Sequence, residues 1–224
     1  MGASNFSENN NKNILNRQEI ESKFVYHFVK RAIDIFGSLI GLLILSPLFA
    51  IVGYKIKKED SAGPVFFSQD RVGKNGKLFR MYKFRSMCVD AEDQLVLLLD
   101  QNEIEGAMFK MKDDPRITKI GKFIRKTSID ELPQLWNVLK GDMSLVGPRP
   151  PLIREVKEYS AFEKQRLLIK PGCTGLWQIS GRNQLSFSEM VQLDLLYINE
   201  LSLFKDIMIV LKTFIIIIKS DGAY

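Results

Sequence analysis

A long apolar run occupies residues 32–54, AIDIFGSLIGLLILSPLFAIVGY, and contains one charged residue, Asp34, near its start. Its length would suffice for a transmembrane helix, which needs about 20 apolar residues. However, Ser46 and Pro47 interrupt the run near its middle, and proline bends a helix because it lacks a backbone donor and clashes with the preceding turn. Each arm then spans roughly 20 Å at about 1.5 Å per residue, which is less than a hydrocarbon core of about 30 Å.

This pattern favours a re-entrant helix whose break lies at Ser46 and Pro47. A kinked single span is the alternative, because membrane helices tolerate proline. Basic residues flank the run on both sides: Lys30, Arg31, Lys55, Lys57 and Lys58. Since basic flanks stay in the cytoplasm, we expect both ends of the run on the cytoplasmic side.

The apolar run divides the chain into three predicted parts. Residues 1–22 are polar and rich in asparagine, so we predict a disordered tail that buries too little apolar surface to fold. Residues 23–58 form the predicted re-entrant membrane helix. Residues 59–224 form a domain on the cytoplasmic side that is continuous with this anchor.

A β-hairpin is predicted within residues 61–87. Apolar strands flank Gly73-Lys74-Asn75-Gly76, and Asn-Gly is a strong hairpin signal because both turn positions need positive φ. Lys83 and Arg85 would project beside aromatic residues on the second strand, either as a solvated face or as contacts to phosphate. The glycine- and proline-containing segments 141–150, 170–175 and 181–183 are predicted to be loops.

The remaining pattern is mostly helical, which gives an α+β class with a small hairpin, a re-entrant anchor and interface-lying amphipathic helices. Helices are predicted at residues 91–99, 119–126, 132–139, 155–169, 186–197 and 203–218. Ser186 and Glu189 match a capping box at the start of one of them. The last helix has a narrow polar stripe, typical of a helix on a membrane surface or in a protein core.

Composition narrows the chemistry. The chain has 224 residues, enough for one domain with a real core, and a net charge of +6 that favours anionic partners. Its cysteines, Cys88 and Cys173, match no metal-ligand spacing and are predicted to be reduced thiols. With one histidine, His27, a histidine-based triad or a His-rich zinc site is nearly excluded.

Asp130 and Glu131 are adjacent carboxylates that follow a basic stretch, residues 110–126. One interpretation is structural, because Ser128 and Glu131 have the spacing of a capping box. Pro133 weakens it, because a helix capped by Ser128 would place this proline where its missing N–H is needed. A helix that starts at Asp130 or later leaves both acids at its entrance, where backbone N–H groups can hold an oxyanion.

Adjacent helical residues point about 100° apart, so this pair suits divided roles better than a shared proton. One carboxylate would be a nucleophile and the other a ligand of Mg²⁺, which is commonly held by one or two carboxylates and substrate phosphates. Arg125, Arg149 and Arg182 can clamp phosphate oxygens or be solvated surface charges. Pro148 and Pro150 fix the backbone around Arg149 and favour the first role.

The chain resembles the bacterial sugar transferase family, the monotopic phosphoglycosyl transferases. The resemblance runs from about residue 28 to 213 and rests on motifs in one order: Lys30-Arg31 with Ser46-Pro47, then residues 63–67, 82–87, 114–118, 128–134, 141–150, 171–175 and 181–183. Each motif is weak alone, and their common order is specific. The insertion at residues 106–111 resembles the larger, exopolysaccharide-initiating members, which commonly use UDP-glucose or UDP-galactose.

The resemblance implies transfer of a sugar 1-phosphate from a UDP-sugar to undecaprenyl phosphate or another polyprenyl phosphate, with Mg²⁺. Asp130 would be the nucleophile that forms a phosphosugar-aspartate, and Glu131 the Mg²⁺ ligand. Arg125, Arg149 and Arg182 would hold phosphates. It also implies a catalytic domain on the cytoplasmic face of the bacterial inner membrane.

A non-catalytic membrane protein that binds anionic lipids or scaffolds an export complex is the alternative from a different class. It is favoured by the basic charge, by the apolar segments at residues 32–54 and 203–218, and by acids that also fit a structural cap. Nucleic-acid binding is disfavoured, because the sequence has no groove-reading motif. The transferred sugar, the pathway and the oligomeric state stay open, and a homodimer remains among the alternatives.

Overall fold

A computed structural model describes residues 15–98, 111, 113–181 and 185–219. The helices are α1 Arg17–Ser22, α2 Phe24–Ile44, α3 Ser46–Glu59, α4 Ala91–Leu98, α5 Lys119–Lys126, α6 Gln134–Lys140, α7 Ile153–Glu158, α8 Ala161–Lys164, α9 Phe187–Asn199 and α10 Leu203–Lys219. The strands are β1 Phe66–Val72, β2 Leu78–Phe84, β3 Ser144–Val146 and β4 Gly172–Thr174. The helix-rich α+β class predicted from the sequence is confirmed.

Strands β1 and β2 form the predicted antiparallel hairpin, paired from Phe66 with Phe84 to Val72 with Leu78. In the turn, Asn75 has φ 57° and Gly76 has φ 80°, the positive angles expected of this dipeptide. Side chains alternate along β2, as a strand requires. Phe84 consequently packs in a cluster with residues of α3 and α5, while Met81 packs in a cluster with Val138 of α6. Strand β2 therefore lies between the anchor and α6.

A second sheet, made of the parallel strands β3 and β4, corrects the prediction of loops at these positions. Ser144 pairs with Gly172, and Val146 pairs with Thr174. Each strand has three residues, too few for an alternating pattern to be visible in the sequence. The pairing holds the 141–150 and 170–175 segments side by side.

The predicted helix break is confirmed, and it begins one residue earlier, at Leu45. Helices α2 and α3 bend by 58° across it. Pro47 lies in the first turn of α3 and has no N–H to donate to the carbonyl of Leu43. The hydroxyl of Ser46 donates to that carbonyl instead, at 2.8 Å. Ser46 and Pro47 therefore stabilise the bend together.

Within the described residues, no single helix is long and apolar enough to cross a bilayer. The bent pair α2 and α3 reaches the required length and apolar composition when both helices are taken together.

Helix α2 packs directly on the rest of the domain. Asp34 is buried, and its Oδ1 accepts hydrogen bonds from Ser144 Oγ at 3.0 Å and Leu145 N at 2.9 Å. Arg31 donates to the carbonyls of Val138 at 2.7 Å and Leu139 at 2.9 Å, where a cation also complements the helix dipole. Helix α2 is thus bonded to β3 at one point and to the end of α6 at another.

Helix α2 also packs closely on β3 and α6 through two of its glycines. A Cβ at Gly37 would lie 2.9 Å from Leu145 Cδ1, and one at Gly41 would lie 3.1 Å from Leu135 Cδ1. Larger residues at these positions would separate α2 from β3 and α6. The orientation of α2 relative to the domain is therefore fixed by side-chain packing as well as by hydrogen bonds.

The interpretation of residues 1–22 as a disordered tail is wrong for the part that the structure describes. Asn16 caps α1 by accepting from the N–H of Gln18 at 3.0 Å, and Ile20 is buried in a core cluster with residues of α9 and α10. Leu15 N donates to Gln165 Oε1 at 2.6 Å. These distant partners are invisible to composition. Residues 1–14 lie outside the described range.

The single helix predicted at residues 155–169 is also wrong. Helix α7 ends at Glu158, α8 begins at Ala161, and a 3₁₀ turn follows at Gln165–Leu168. Ser160 and Glu163 form a capping box that starts α8. This box is readable in the sequence and marks the interruption.

The other predicted helices are confirmed with small changes at their ends. Helix α5 has the predicted bounds, and α9 begins at the Ser186 capping box. The helix predicted at 132–139 starts at Gln134. Helix α10 buries one face through Ile209 and exposes large apolar side chains on the other: Phe204, Ile207, Leu211, Phe214 and Ile215. It is thus neither wholly a core helix nor wholly exposed.

Asp34→Ala should destabilise the fold through the loss of both hydrogen bonds to β3. We expect the free energy of unfolding to fall by about 3 kcal/mol, since bonds to a charged group contribute about 1.5–3 kcal/mol each and are not fully additive. Asp34→Asn should lose about 1 kcal/mol or less, because its amide oxygen can accept both bonds. Denaturant unfolding in detergent measures the free energy of unfolding of both variants. An Asp34→Ala protein as stable as wild type would contradict the conclusion that Asp34 holds α2 on β3.

Candidate active site

The acid pair lies in a short 3₁₀ turn, Ile129–Glu131, between α5 and α6. Ser128 precedes it with φ 56° and makes no side-chain capping bond. Helix α6 begins only at Gln134, with Pro133 at its N-cap. The capping-box interpretation is therefore wrong, and both acids sit at the entrance to a helix as the position of Pro133 predicted.

Ser128 holds a left-handed backbone that is costly for residues other than glycine, by about 1–2 kcal/mol. Its N–H donates to the carbonyl of Arg125 at 3.1 Å, and its carbonyl accepts from Glu131 N at 3.3 Å. Strained backbone of this kind often clusters at functional sites. Here it turns the chain so that Asp130 faces inward, where it is 7% exposed.

Lys83 of β2 reaches both carboxylates. Its Nζ donates to Glu131 Oε1 at 2.6 Å and lies 3.8 Å from Asp130 Oδ2. The side chain of Glu131 is 41% exposed, so this carboxylate is open to solvent while Asp130 is not. The two acids thus share one ammonium but have different access to ligands.

The environments of the two acids shift their ionisation in opposite directions. Burial raises the pKa of Asp130 to about 6, reinforced by the Glu131 charge and opposed by the ammonium of Lys83 and by Arg125. The protein around the half-exposed Glu131 carboxylate removes part of its hydration and opposes ionisation, but Lys83, with smaller effects from Arg149 and Arg71, holds its pKa below the ordinary value. Carboxyl pairs with separated pKa values are typical of divided chemical roles.

The structure brings two of the three predicted arginines to the acids. Arg125, in α5, is close enough to Asp130 to lower its pKa, and Arg149 affects Glu131 in the same way. Arg182 lies outside the described residues, and so does most of the 106–111 insertion.

Arg71 of β1 joins the site from the other strand of the hairpin. It is buried, and burial together with the neighbouring Arg149 lowers its pKa to about 10. Its Nη1 donates to the carbonyl of Pro150 at 3.1 Å, which ties the hairpin to the loop that carries Arg149. Two adjacent guanidinium groups repel each other unless an anion lies between or beside them, so this arrangement favours phosphate.

The loop that carries Arg149 is held on both sides. Gly147 N donates to the carbonyl of Thr174 at 2.9 Å, and Gly172 N donates to that of Pro148 at 2.9 Å. On the other side, Val72 N donates to the carbonyl of Pro151 at 3.0 Å. The rigidity predicted from Pro148 and Pro150 is thus accompanied by hydrogen bonds to both sheets.

The donor set around the acids fits a partial Mg²⁺ site. The described residues contain no group of three or more His, Cys, Asp or Glu side chains able to hold a metal. Mg²⁺ commonly takes only one or two carboxylates, with substrate phosphates and water completing its shell. Glu131, ionised and partly exposed, matches this role better than the buried Asp130.

Lys83 and Arg71 are the site residues that sequence reasoning did not assign to the acids. The sequence predicts for Lys83 either a solvated or a phosphate-binding role on its strand. Because neighbouring side chains on a strand point to opposite faces, the packing of Phe84 in the cluster with α3 and α5 places Lys83 on the face toward the acids. Arg71 gave no signal, since its role depends on contacts between distant segments.

Comparison with known proteins identifies the family. The model of the bacterial sugar transferase family matches residues 25–220. Galactosyl transferase CpsE of Streptococcus agalactiae serotype III is 56% identical over 202 residues, which cover 90% of this chain and 44% of that protein. The undecaprenyl-phosphate galactose phosphotransferase of Salmonella typhimurium is 48% identical over 201 residues, covering 88% of this chain and 42% of that protein.

The chain therefore spans less than half the length of these two relatives. Exopolysaccharide production protein ExoY of Rhizobium meliloti is similar over most of its length, with 41% identity over 199 residues that cover 87% of this chain and 88% of ExoY. The family match includes the bent pair α2 and α3, the hairpin, the acid pair and the Arg149 loop. The chain belongs to the bacterial sugar transferase family.

Proposed function

We propose that this protein transfers a sugar 1-phosphate from a UDP-sugar to a polyprenyl phosphate, such as undecaprenyl phosphate, and releases UMP. The observation that carries this proposal is the acid pair with opposite pKa shifts beside Lys83, Arg71, Arg125 and Arg149. A buried carboxylate facing clustered cations suits attack on a diphosphate whose negative charge those cations hold.

Asp130 is the proposed nucleophile. Its carboxylate attacks the phosphorus that bears the sugar, a carboxyl–phosphate bond forms, and the anhydride bond to UMP breaks. The polyprenyl phosphate oxygen then attacks the same phosphorus and releases Asp130 as a carboxylate, giving a polyprenyl diphosphate sugar. One diphosphate linkage is exchanged for another, so the chemistry requires positioning and charge stabilisation rather than an energy source.

The other groups bind and orient the substrates. Glu131 would hold Mg²⁺, which when bound supplies further charge stabilisation for the phosphates. Arg71 and Arg149 would clamp phosphate oxygens on the Glu131 side, and Arg125 on the Asp130 side. Lys83 keeps Asp130 ionised in a buried position and prevents repulsion between the acids.

The names of the relatives point to a sugar of the galactose type. The Streptococcus and Salmonella proteins are named for galactose, and a relative from Aeromonas hydrophila, 40% identical over 205 residues, for N-acetylgalactosamine. We therefore propose UDP-galactose as the first donor to test. ExoY is named for exopolysaccharide production, and the reaction would begin the assembly of such a polymer.

The proposed location is the cytoplasmic face of the inner membrane, with α2 and α3 as a re-entrant anchor. On the exposed face of α3, Ile51 nearest the bend is followed by Tyr54 and then by Lys55 and Lys58. This order, from apolar through aromatic to basic, matches the change from hydrocarbon to headgroups. Tyr54 lies roughly 14 Å along the helix from Leu45 at 1.5 Å per residue, a depth of about one leaflet.

Asp130→Asn should lower the rate of UMP release by about a thousandfold or more, as expected for loss of a nucleophile. UMP is measured after purified protein is mixed with UDP-galactose, Mg²⁺ and undecaprenyl phosphate. Asp113→Asn, which removes an exposed acid from the same region, serves as the matched control and should keep wild-type activity. An Asp130→Asn protein as active as wild type would exclude this nucleophile.

The rate of UMP release should depend on pH through the ionisation of the Asp130 carboxyl group. Only the carboxylate attacks, so the rate should fall as the pH drops through the pKa of about 6. Lys83→Met removes the ammonium that lowers this pKa, so the acid limb of the kcat/KM profile should move to higher pH. A limb that stays in place, or moves to lower pH, would contradict the assigned electrostatic role of Lys83.

The re-entrant topology predicts that both ends of the anchor face the cytoplasm. A cysteine introduced by Ser22→Cys, at an exposed position in a Cys88→Ser and Cys173→Ser background, should resist a membrane-impermeant thiol reagent added outside intact spheroplasts and react after lysis. Pro47→Ala should straighten the helix and expose one end to the outside. Labelling of the Ser22→Cys thiol from outside in the protein with Pro47 intact would favour a single kinked span.

A further inference from the structure

Asn137 lies in the middle of α6 and is fully buried, with 0% exposure. Its side chain faces the edge of β2 that is not paired with β1. Its Nδ2 donates to the carbonyl of Arg80 at 2.7 Å, and its Oδ1 accepts from Tyr82 N at 3.0 Å. One carboxamide thus offers β2 the donor and the acceptor that a neighbouring strand would offer.

This amide is itself held in place. Its Nδ2 also lies within 3.3 Å of Asp142 Oδ2. The backbone carbonyl of Asn137 accepts from the N–H groups of Gly141, Asp142 and Met143 at 3.1, 3.0 and 3.2 Å. These bonds end α6 and fix the side chain that contacts β2.

The contact lies one residue from the lysine of the active site. Lys83 follows Tyr82 on β2, and its ammonium bonds Glu131 at 2.6 Å. The acid pair in turn precedes α6, the helix that carries Asn137. The segment from the acids to α6 therefore contacts β2 at two points. The amide of Asn137 bonds to Arg80 and Tyr82, and the acids contact Lys83.

The register of β2 against α6 and the acids decides which side chain meets the acids, because the side chains of a strand alternate between its faces. A shift of one residue along β2 would point Lys83 toward α3 and place an aromatic side chain against the acids. The bonds to Arg80 and Tyr82 select one register, since donor and acceptor must both match. Packing of Val138 against Met81 is apolar and non-directional, so it defines the register less sharply.

We propose that Asn137 is a positioning residue that sets the register of Lys83 against the Asp130–Glu131 pair. It acts through Lys83 and makes no contact with either acid among the hydrogen bonds of the described residues. The catalytic consequence rests on the function proposed above, whereas the geometric part is independent of it. A residue that only satisfied the edge of β2 would affect stability without affecting Lys83.

The geometric part is tested without an activity measurement. In Asn137→Ala, the Tyr82 amide loses its acceptor, and its hydrogen exchange should become about tenfold faster, because a lost bond of about 1.4 kcal/mol corresponds to that factor. Acetylation of Lys83 by acetic anhydride, followed by peptide mass spectrometry, should also become several-fold faster. Val138→Ala is the matched control, since it removes buried volume from the neighbouring residue but keeps the amide contact.

Equal exchange at Tyr82 and equal labelling of Lys83 in Asn137→Ala and Val138→Ala would overturn the proposal. If Asn137→Ala does not fold, Asn137→Leu replaces it, because leucine fills the space of the amide but offers neither the acceptor for Tyr82 N nor the donor to Arg80. Lys83 should then be labelled faster than in wild type. Unchanged labelling in this folded variant would equally exclude a positioning role.

The catalytic part is tested by a double-mutant cycle on kcat/KM for UMP release at one pH. Asn137→Ala should lower kcat/KM several-fold, because Lys83 is no longer held against Glu131. Added to Lys83→Met, it should cause no further loss, since residues that act through one contact are not additive. Additive losses, or a kcat/KM unchanged by Asn137→Ala, would contradict action through Lys83. If wild type releases no UMP, the proposed function fails, while exchange and labelling still decide the role of Asn137.

Discussion

The ammonium of Lys83 is the interaction on which the site depends. Adjacent carboxylates repel each other, and burial disfavours the charged form of each, yet Asp130 is 7% exposed and lies directly beside Glu131. Lys83, 2.6 Å from one acid and 3.8 Å from the other, offsets both effects. The rest of the fold brings a lysine from one strand to a turn that is 48 residues away, and the hairpin, α6 and the Arg149 loop all contribute to this placement.

The bent pair α2 and α3 packs on the elements that carry the site. Asp34 and Arg31 bond α2 to β3 and to the end of α6, and Ile129, next to the acid pair, packs on the cluster of α3, β2 and α5. The height of Asp130 relative to the helix bend is therefore fixed by packing. In the proposed function, a lipid phosphate and a soluble nucleotide would meet at this height, and packing of the bent helix pair on the domain would keep Asp130 there.

Local signals in the sequence predicted the features that depend on nearby residues. Asn75-Gly76 predicted the hairpin, Pro47 the bend, and Pro133 the entrance to α6 with both acids before it. Contacts between distant segments could not be predicted in this way. Partners far along the chain determine three features: the short β3–β4 sheet, the burial of Ile20 and the contribution of Arg71. The alternation of apolar and polar residues in the sequence does not predict such partners. The roles of Asp130 and Glu131 came from motif order, because two adjacent acids alone fit a cap equally well.

The central claim is that Asp130 carries the sugar phosphate between donor and acceptor. Peptide mass spectrometry tests it on wild-type protein mixed with UDP-galactose and Mg²⁺ without any lipid, then quenched in acid. The account predicts a hexose phosphate on the peptide that contains Asp130, and its disappearance when undecaprenyl phosphate is added before the quench. An unmodified peptide, together with UMP that forms only when the lipid is present, would show direct transfer and contradict the account.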